Sequence, residues 1–149
     1  MQELERLIDI ESKRCGLLLN WQSSQDPFWH YGIGLSDSHI FDTGRGLCPF
    51  LSDRAKLVVD IERIVFPPGK VIGRLKHAIH VFGSWDYNVL GWNCEHLARL
   101  IATGRPRSYQ SAVIWMLCDL TPTGDHKSAA RIFNDYLQAN EPSLLTRER

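Results

Sequence analysis

The chain has 149 residues, 44% of them apolar and five of them tryptophan, a composition that suits one folded domain with a real core and excludes a disordered segment. Seventeen basic and seventeen acidic residues cancel to a formal charge of zero, so no overall charge recruits nucleic acid or an anionic membrane surface. Cys15, Cys48, Cys94 and Cys118 are widely spaced with no CxxC pair, which argues against a zinc knuckle, and with no secretory leader the expectation is free thiols in a reducing cytoplasm. No apolar run approaches the roughly 20 residues of a spanning helix. No metal or cofactor is expected.

Residues 1–13 alternate charge with Leu4, Leu7 and Ile8 and read as a short amphipathic helix. Residues 16–21 read as a buried strand, and Asp26-Pro27 as a turn signal. Residues 28–35 and 40–42 flank Ser36-Asp37-Ser38 and predict a β-hairpin. Gly44, Gly46 and Pro49 predict a loop, and residues 57–61, rich in β-branched side chains, a further strand. Val71, Leu75, Ala78 and Phe82 fall at helical spacing, so residues 70–83 are expected as helix after Pro67-Pro68-Gly69. Residues 84–91 read as a loop, and residues 111–120 are ambiguous between helix and strand. In residues 128–139, Ala129, Phe133, Tyr136 and Leu137 share one helical face. His126 reads as loop and residues 141–149 as a frayed, flexible tail. The expected fold class is α+β, one domain over residues 1–149 with an antiparallel sheet.

The chain is organised around Trp92-Asn93-Cys94-Glu95-His96 and the residues up to Gly104. Asn93 is a good N-cap and Gly104 suits the position just past a helix C-terminus. Cys94, Leu97, Ala98 and Ile101 fall on one face. The cysteine therefore opens the helix, where free N–H groups and the macrodipole favour a thiolate. His96 cannot be its base, because residues two apart on a helix do not face each other.

His30, in Trp29-His30-Tyr31-Gly32-Ile33-Gly34, is the better partner. His30, Gly32 and Gly34 share one strand face, and bare glycines leave room for another element or a substrate. A turn at Ser36 to Ser38 makes Asp42 a cross-strand neighbour of His30, and a carboxylate there fixes the imidazole tautomer. His39 is expected at the surface, and His77 and His80, one pair at i, i+3, are weak metal ligands.

Two stretches then resemble a family. His30-Tyr-Gly-Ile-Gly-Leu-Ser-Asp with Ile40-Phe-Asp42 resembles the histidine box of the lecithin:retinol acyltransferase-like proteins. Tyr87-Asn-Val-Leu-Gly-Trp-Asn-Cys-Glu-His96 is similar to their Asn-Cys-Glu-His box, and Gly104-Arg-Pro-Arg-Ser-Tyr-Gln110 to the segment that follows it. The similarity runs over residues 16–110, leaving 111–140 as a C-terminal helical extension. It implies a circularly permuted papain-like fold, with the cysteine at the N-terminus of a helix packed on the antiparallel sheet. It also implies acyl chemistry through a thioester, with Cys94 as nucleophile, His30 as base and Asp42 as orienter. The family's usual His-Trp-Ala is His30-Tyr31-Gly32 here, Asp42 replaces the commoner histidine, and the C-terminal membrane anchor of many animal members has no counterpart.

The expectation is a soluble cysteine acyltransferase or acyl hydrolase acting on a phospholipid or other acyl ester. Trp21, Trp29, Tyr31 and Trp92, with Trp85, are the candidates to bind substrate. Cytoplasmic localisation with peripheral membrane contact follows. Two alternatives stay open: amide hydrolysis, as in the cell-wall cysteine peptidases of the same superfamily, and a non-catalytic interaction module. The acyl donor, the acceptor and the oligomeric state are not legible.

Overall fold

A computed structural model describes residues 1–22, 29–50, 56–57, 65–83, 93–108 and 126–146. Strands β1 (Leu18–Gln22), β2 (Trp29–Gly34), β3 (His39–Asp42), β4 (Gly46–Pro49) and β5 (Lys56–Leu57) form one sheet in the order β4-β3-β2-β1-β5. Every neighbouring pair is antiparallel. Leu18 pairs with Ile33 and Asn20 with Tyr31, while Trp21 pairs with His30. The two-residue period thus sends Leu18, Tyr31 and Ile33 into the core and His30 to the opposite face.

The hairpin forms where the sequence predicts it, but in a different register. Asp42 pairs with Gly32, and Ile33 with Phe41, so Asp42 is diagonal to His30 rather than opposite it. Residues 46–49 are strand, not loop. The reason lies in Asp42, whose Oδ1 accepts from the N–H of Gly44 at 2.7 Å and of Arg45 at 3.1 Å. That side-chain bond tightens the reversal, and the chain pairs again immediately.

Helix α1 (Gln2–Leu7) is shorter than expected. Ile8 is already extended, and Asp9 N–H bonds Leu35 O at 2.9 Å, which turns residues 9–16 into a strap across the hairpin. Arg14 passes so close to Gly34 that a Cβ there would overlap the Arg14 carbonyl. Glycine is required by that approach.

Helices α2 (Pro68–Phe82) and α3 (Cys94–Thr103) pack over the core face of the sheet, and α4 (His126–Asn140) packs on α2. Proline at the start of α2 lacks only an N–H that would be orphaned in any case. Helix α4 begins at His126 and so includes the residue expected in a loop; Ala129, Phe133 and Leu137 are its buried face. The tail is docked, not frayed, up to residue 146. A 3₁₀ turn (Pro142–Leu144) lays Leu144 over Gly73, where a Cβ would stand 2.9 Å from Leu144 Cδ2. Residues 58–61 and 111–120 of the predicted elements lie outside the described residues. Among the described residues no helix is long and apolar enough to cross a membrane.

Arg74 joins three of these pieces. Its side chain is 1% exposed; Nε donates to Ile101 O, Nη2 to Leu100 O and Nη1 to Leu144 O, all at 2.8–2.9 Å. Its guanidinium also lies 4.5 Å from the Phe66 ring. Removing it leaves three buried carbonyls without this donor. Arg74→Ala is therefore expected to lower stability in urea by roughly 3–5 kcal/mol, with amide exchange accelerated at residues 142–146 more than in the sheet.

Candidate active site

The helix that carries the cysteine is fixed at both ends by its own sequence. Asn93 Oδ1 accepts from Glu95 N–H at 3.0 Å and His96 N–H at 3.1 Å, and His96 Nδ1 accepts from Asn93 N–H at 3.2 Å. His96 is thus part of a reciprocal cap and not a base. At the far end Gly104, at φ 75°, returns its N–H to Leu100 O. The predicted helix and the observed one coincide.

Helix α3 is buried on all sides, beyond the single apolar face the sequence suggests. Glu95, His96, Arg99 and Thr103 are as buried as Leu97 and Ile101. Glu95 Oε1 accepts from Arg99 Nε at 2.9 Å and Oε2 from Ser108 Oγ at 2.8 Å. Sequence reasoning missed this pair, although an i, i+4 Glu–Arg spacing signals it.

Cys94 meets the sheet at an edge. Tyr31 O accepts from both Thr43 N–H at 3.1 Å and Thr43 Oγ1 at 2.9 Å, after which β3 has left β2. The sulfur takes the place that β3 vacates. Its thiol donates to Trp29 O at 3.8 Å, and Tyr31 N–H donates back to it. Those two groups belong to the peptides on either side of His30. Thr43 Oγ1 also donates to Cys94 O at 2.7 Å, so one hydroxyl bridges strand and helix.

His30 is half-buried on the opposite sheet face from Tyr31, stacked on Trp21 with ring centroids 6.1 Å apart. Asp42 is 2% exposed. A Cβ built on Gly44 would lie 3.3 Å from Asp42 Oδ1 and 3.8 Å from Cys94 Cβ. The structure therefore brings Cys94 to Asp42 across Gly44, and to the backbone that bears His30. Asp42 caps its turn with the same oxygen. His39 sits by Ser38 Oγ, and His77 and His80 pack on Tyr136. Among the described residues no three His, Cys, Asp or Glu side chains group as metal ligands.

A half-open cavity of about 180 Å³ has Gly44, the neighbour of Cys94, in its lining. Phe41 and Gly44 line it from the sheet, Ile79 and Phe82 from α2, and Leu97 and Ile101 from α3. Trp21, Trp29 and Tyr31 are not in this lining; Trp85 and Trp92 lie outside the described residues. The aromatic side chains nearest in sequence are thus replaced by apolar groups from three distant segments.

The electrostatics differ from the expectation of a resting thiolate. Burial pushes the Cys94 thiol up to about 11, the carboxylates of Asp42 and Glu95 add to that, and backbone N–H bonds from Tyr31 and Glu95 offset part of it. Burial likewise raises the thiols of Cys15 and Cys48.

A folded value of about 11 lies above the ordinary 9.0, so the folded chain keeps a proton that the unfolded chain releases. That contribution to stability is complete below pH 9 and is lost as the pH climbs toward 11. Denaturant melts of Cys94→Ser are expected to show a shallower alkaline decline than the parent, and iodoacetamide labelling of Cys94 a midpoint near 11. Compared with protein-family models, with curated proteins and with solved structures, the chain matches none.

Proposed function

We propose that the protein is a cysteine-dependent acyltransferase or acyl hydrolase, of the kind its two lecithin:retinol acyltransferase-like boxes imply, on a circularly permuted papain-like framework. The observation that carries the proposal is the seat of Cys94: first residue of a capped helix, its sulfur on the peptides flanking His30, with Gly44 both next to it and in the lining of a cavity. A nucleophile, a base on the adjoining strand and a place for a hydrocarbon chain are the parts that acyl transfer needs.

His30 takes the thiol proton as the sulfur attacks the acyl carbonyl. A C–S bond forms, the C–O bond of the ester breaks, and the departing alcohol receives the proton from His30. Water, an alcohol or an amine then releases the acyl group by the reverse proton path. Because the thiol sits near 11, proton removal accompanies attack and no standing thiolate–imidazolium pair precedes it. The N–H of Cys94, at the helix start, is the candidate oxyanion donor. Asp42 supports the loop that holds Cys94, and its place on the His30 face supports its assignment as orienter. Phospholipid or another acyl ester is the proposed substrate.

One observation favours the second reading, a non-catalytic module: the raised thiol, with Asp42 Oδ1 already engaged by Gly44 and Arg45. The two separate by trapping. Activated acyl esters of graded chain length, followed by intact-mass analysis, are expected to leave one acyl group on Cys94. Cys94→Ser abolishes the adduct, and His30→Ala slows its formation by about 10²-fold or more. No adduct and no Cys94-dependent ester loss between pH 6 and 10 would reject the enzyme reading. An adduct from amide substrates alone would point to the peptidase alternative.

The cavity makes its own prediction. Ile79 is half-buried on its wall; Ile79→Phe is expected to shift chain-length preference toward shorter acyl groups and Ile79→Ala toward longer ones. The check is the ratio of kcat/KM values across the ester series.

A further inference from the structure

The carboxylate next to the nucleophile is not used in the mechanism above, yet it is the most thoroughly bonded group near it. Glu95 is 0% exposed. Arg99 Nε holds Oε1 and Ser108 Oγ holds Oε2, while Asn93 Nδ2 bonds the same Ser108 hydroxyl at 3.1 Å. The fourth member comes from the sheet. The buried phenol of Tyr31 is hydrogen-bonded with Glu95 and Asn20, and the Arg99 guanidinium lies 5.8 Å from its ring.

Tyr31 follows His30, and its backbone N–H donates to the Cys94 sulfur. Its two ends thus meet two successive residues of α3: the phenol meets Glu95, and the amide meets Cys94. A carboxylate fixed by α3 on one oxygen and by the 105–108 segment on the other cannot move without breaking charge-assisted bonds. The strand it grips is held in one position along the helix start.

We propose that Glu95 is a positioning residue: through the Tyr31 side chain it clamps β2, and with it His30, against the first turn of the Cys94 helix. This rests on the acyl-transfer reading only for its catalytic consequence. The clamp itself is a statement about where the sulfur sits. Among the described residues, the charged groups that act on that sulfur are Asp42 from the end of β3 and Glu95 from α3; His30 and Tyr31 are on the strand it bonds.

The test is the pH profile of Cys94 alkylation by iodoacetamide in the parent, Tyr31→Phe, Glu95→Gln and the double variant, with thermal melts beside it. Tyr31→Phe keeps the Glu95–Arg99 pair and removes the phenol's bonds to Glu95 and Asn20. It is expected to raise the limiting alkylation rate severalfold, because the strand no longer shields the sulfur. In Glu95→Gln the midpoint should fall, since one carboxylate charge is gone, and adding Tyr31→Phe should raise the limiting rate no further. If Glu95→Gln does not fold, Ser108→Ala removes one of the two anchors and is expected to move the limiting rate in the same direction by less.

Altered melting with an unchanged alkylation profile in Tyr31→Phe would overturn the proposal, as would multiplicative effects of the two substitutions. Ester turnover measured on the same variants separates the two proposals. Coupled alkylation without Cys94-dependent turnover upholds the clamp and rejects the enzyme. Turnover with uncoupled alkylation does the reverse.

Discussion

The constraint on which the rest depends is the burial of helix α3, every residue of it but Cys94. Four of its ten residues are Glu95, His96, Arg99 and Thr103, and all four are buried. Buried polar groups are costly unless bonded, and each here has a partner. His96 closes the N-terminal cap, Glu95 meets Arg99 and Ser108, and Thr103 Oγ1 donates to Arg99 O at 2.8 Å. At the C-terminus the Arg74 guanidinium bonds Leu100 O and Ile101 O, placing a cation where the helix dipole favours one. Since these bonds are directional, sliding the helix by even part of a turn would break several at once. The position of Cys94 is thus fixed as much by the polar bonds along its helix as by its own contacts with the sheet.

The same burial sets the thiol's resting state. With a value of about 11, roughly one sulfur in ten thousand is ionised at neutral pH. A helix N-terminus is commonly expected to favour a thiolate, but here the Glu95 N–H is shared with Asn93 Oδ1 and the His96 N–H bonds it too, while burial and two nearby carboxylates oppose the charge. A seat of this kind places a nucleophile accurately and leaves it protonated. Chemistry at such a sulfur needs a base that acts at the moment of attack, and the strand beside it carries His30.

What the sequence made legible was local. Asn93 and Gly104 mark the ends of α3 because capping chemistry is written in single residues, and Ser36 to Ser38 mark the hairpin for the same reason. The 3.6-residue period located α2 and α4 to within two residues. What it hid depends on contacts between distant segments. Residues 46–49 carry glycine and proline and read as loop, yet they pair because Asp42 closes the preceding turn. The tail reads as frayed because nothing local reveals that Gly73 leaves a seat for Leu144 or that Arg74 reaches Leu144 O. The Glu95–Arg99 spacing is visible in the sequence, but an i, i+4 pair looks the same whether it lies in water or in a core. Trp21 and Trp29, near the motifs in sequence, were natural candidates for a pocket; among the described residues the cavity is walled instead by Phe41, Ile79, Phe82 and Leu97, which only the tertiary packing brings together.

The turn after β3 links the sheet, the cysteine helix and the cavity. Thr43 bonds both Tyr31 O and Cys94 O, so it fixes the spacing between sheet and helix. Gly44 follows with no side chain, facing Asp42 Oδ1 and Cys94 Cβ and lining the cavity. A side chain at that position would press on both Asp42 Oδ1 and Cys94 Cβ, whereas glycine leaves that space open. Asp42 holds the turn from behind by accepting both of its N–H groups. Asp42, Thr43 and Gly44 therefore join the buried carboxylate, Cys94 and the cavity, and they do so with backbone geometry as much as with side chains. A site assembled in this way is poorly visible to a search for reactive side chains in sequence, because its most important member contributes an absence of atoms.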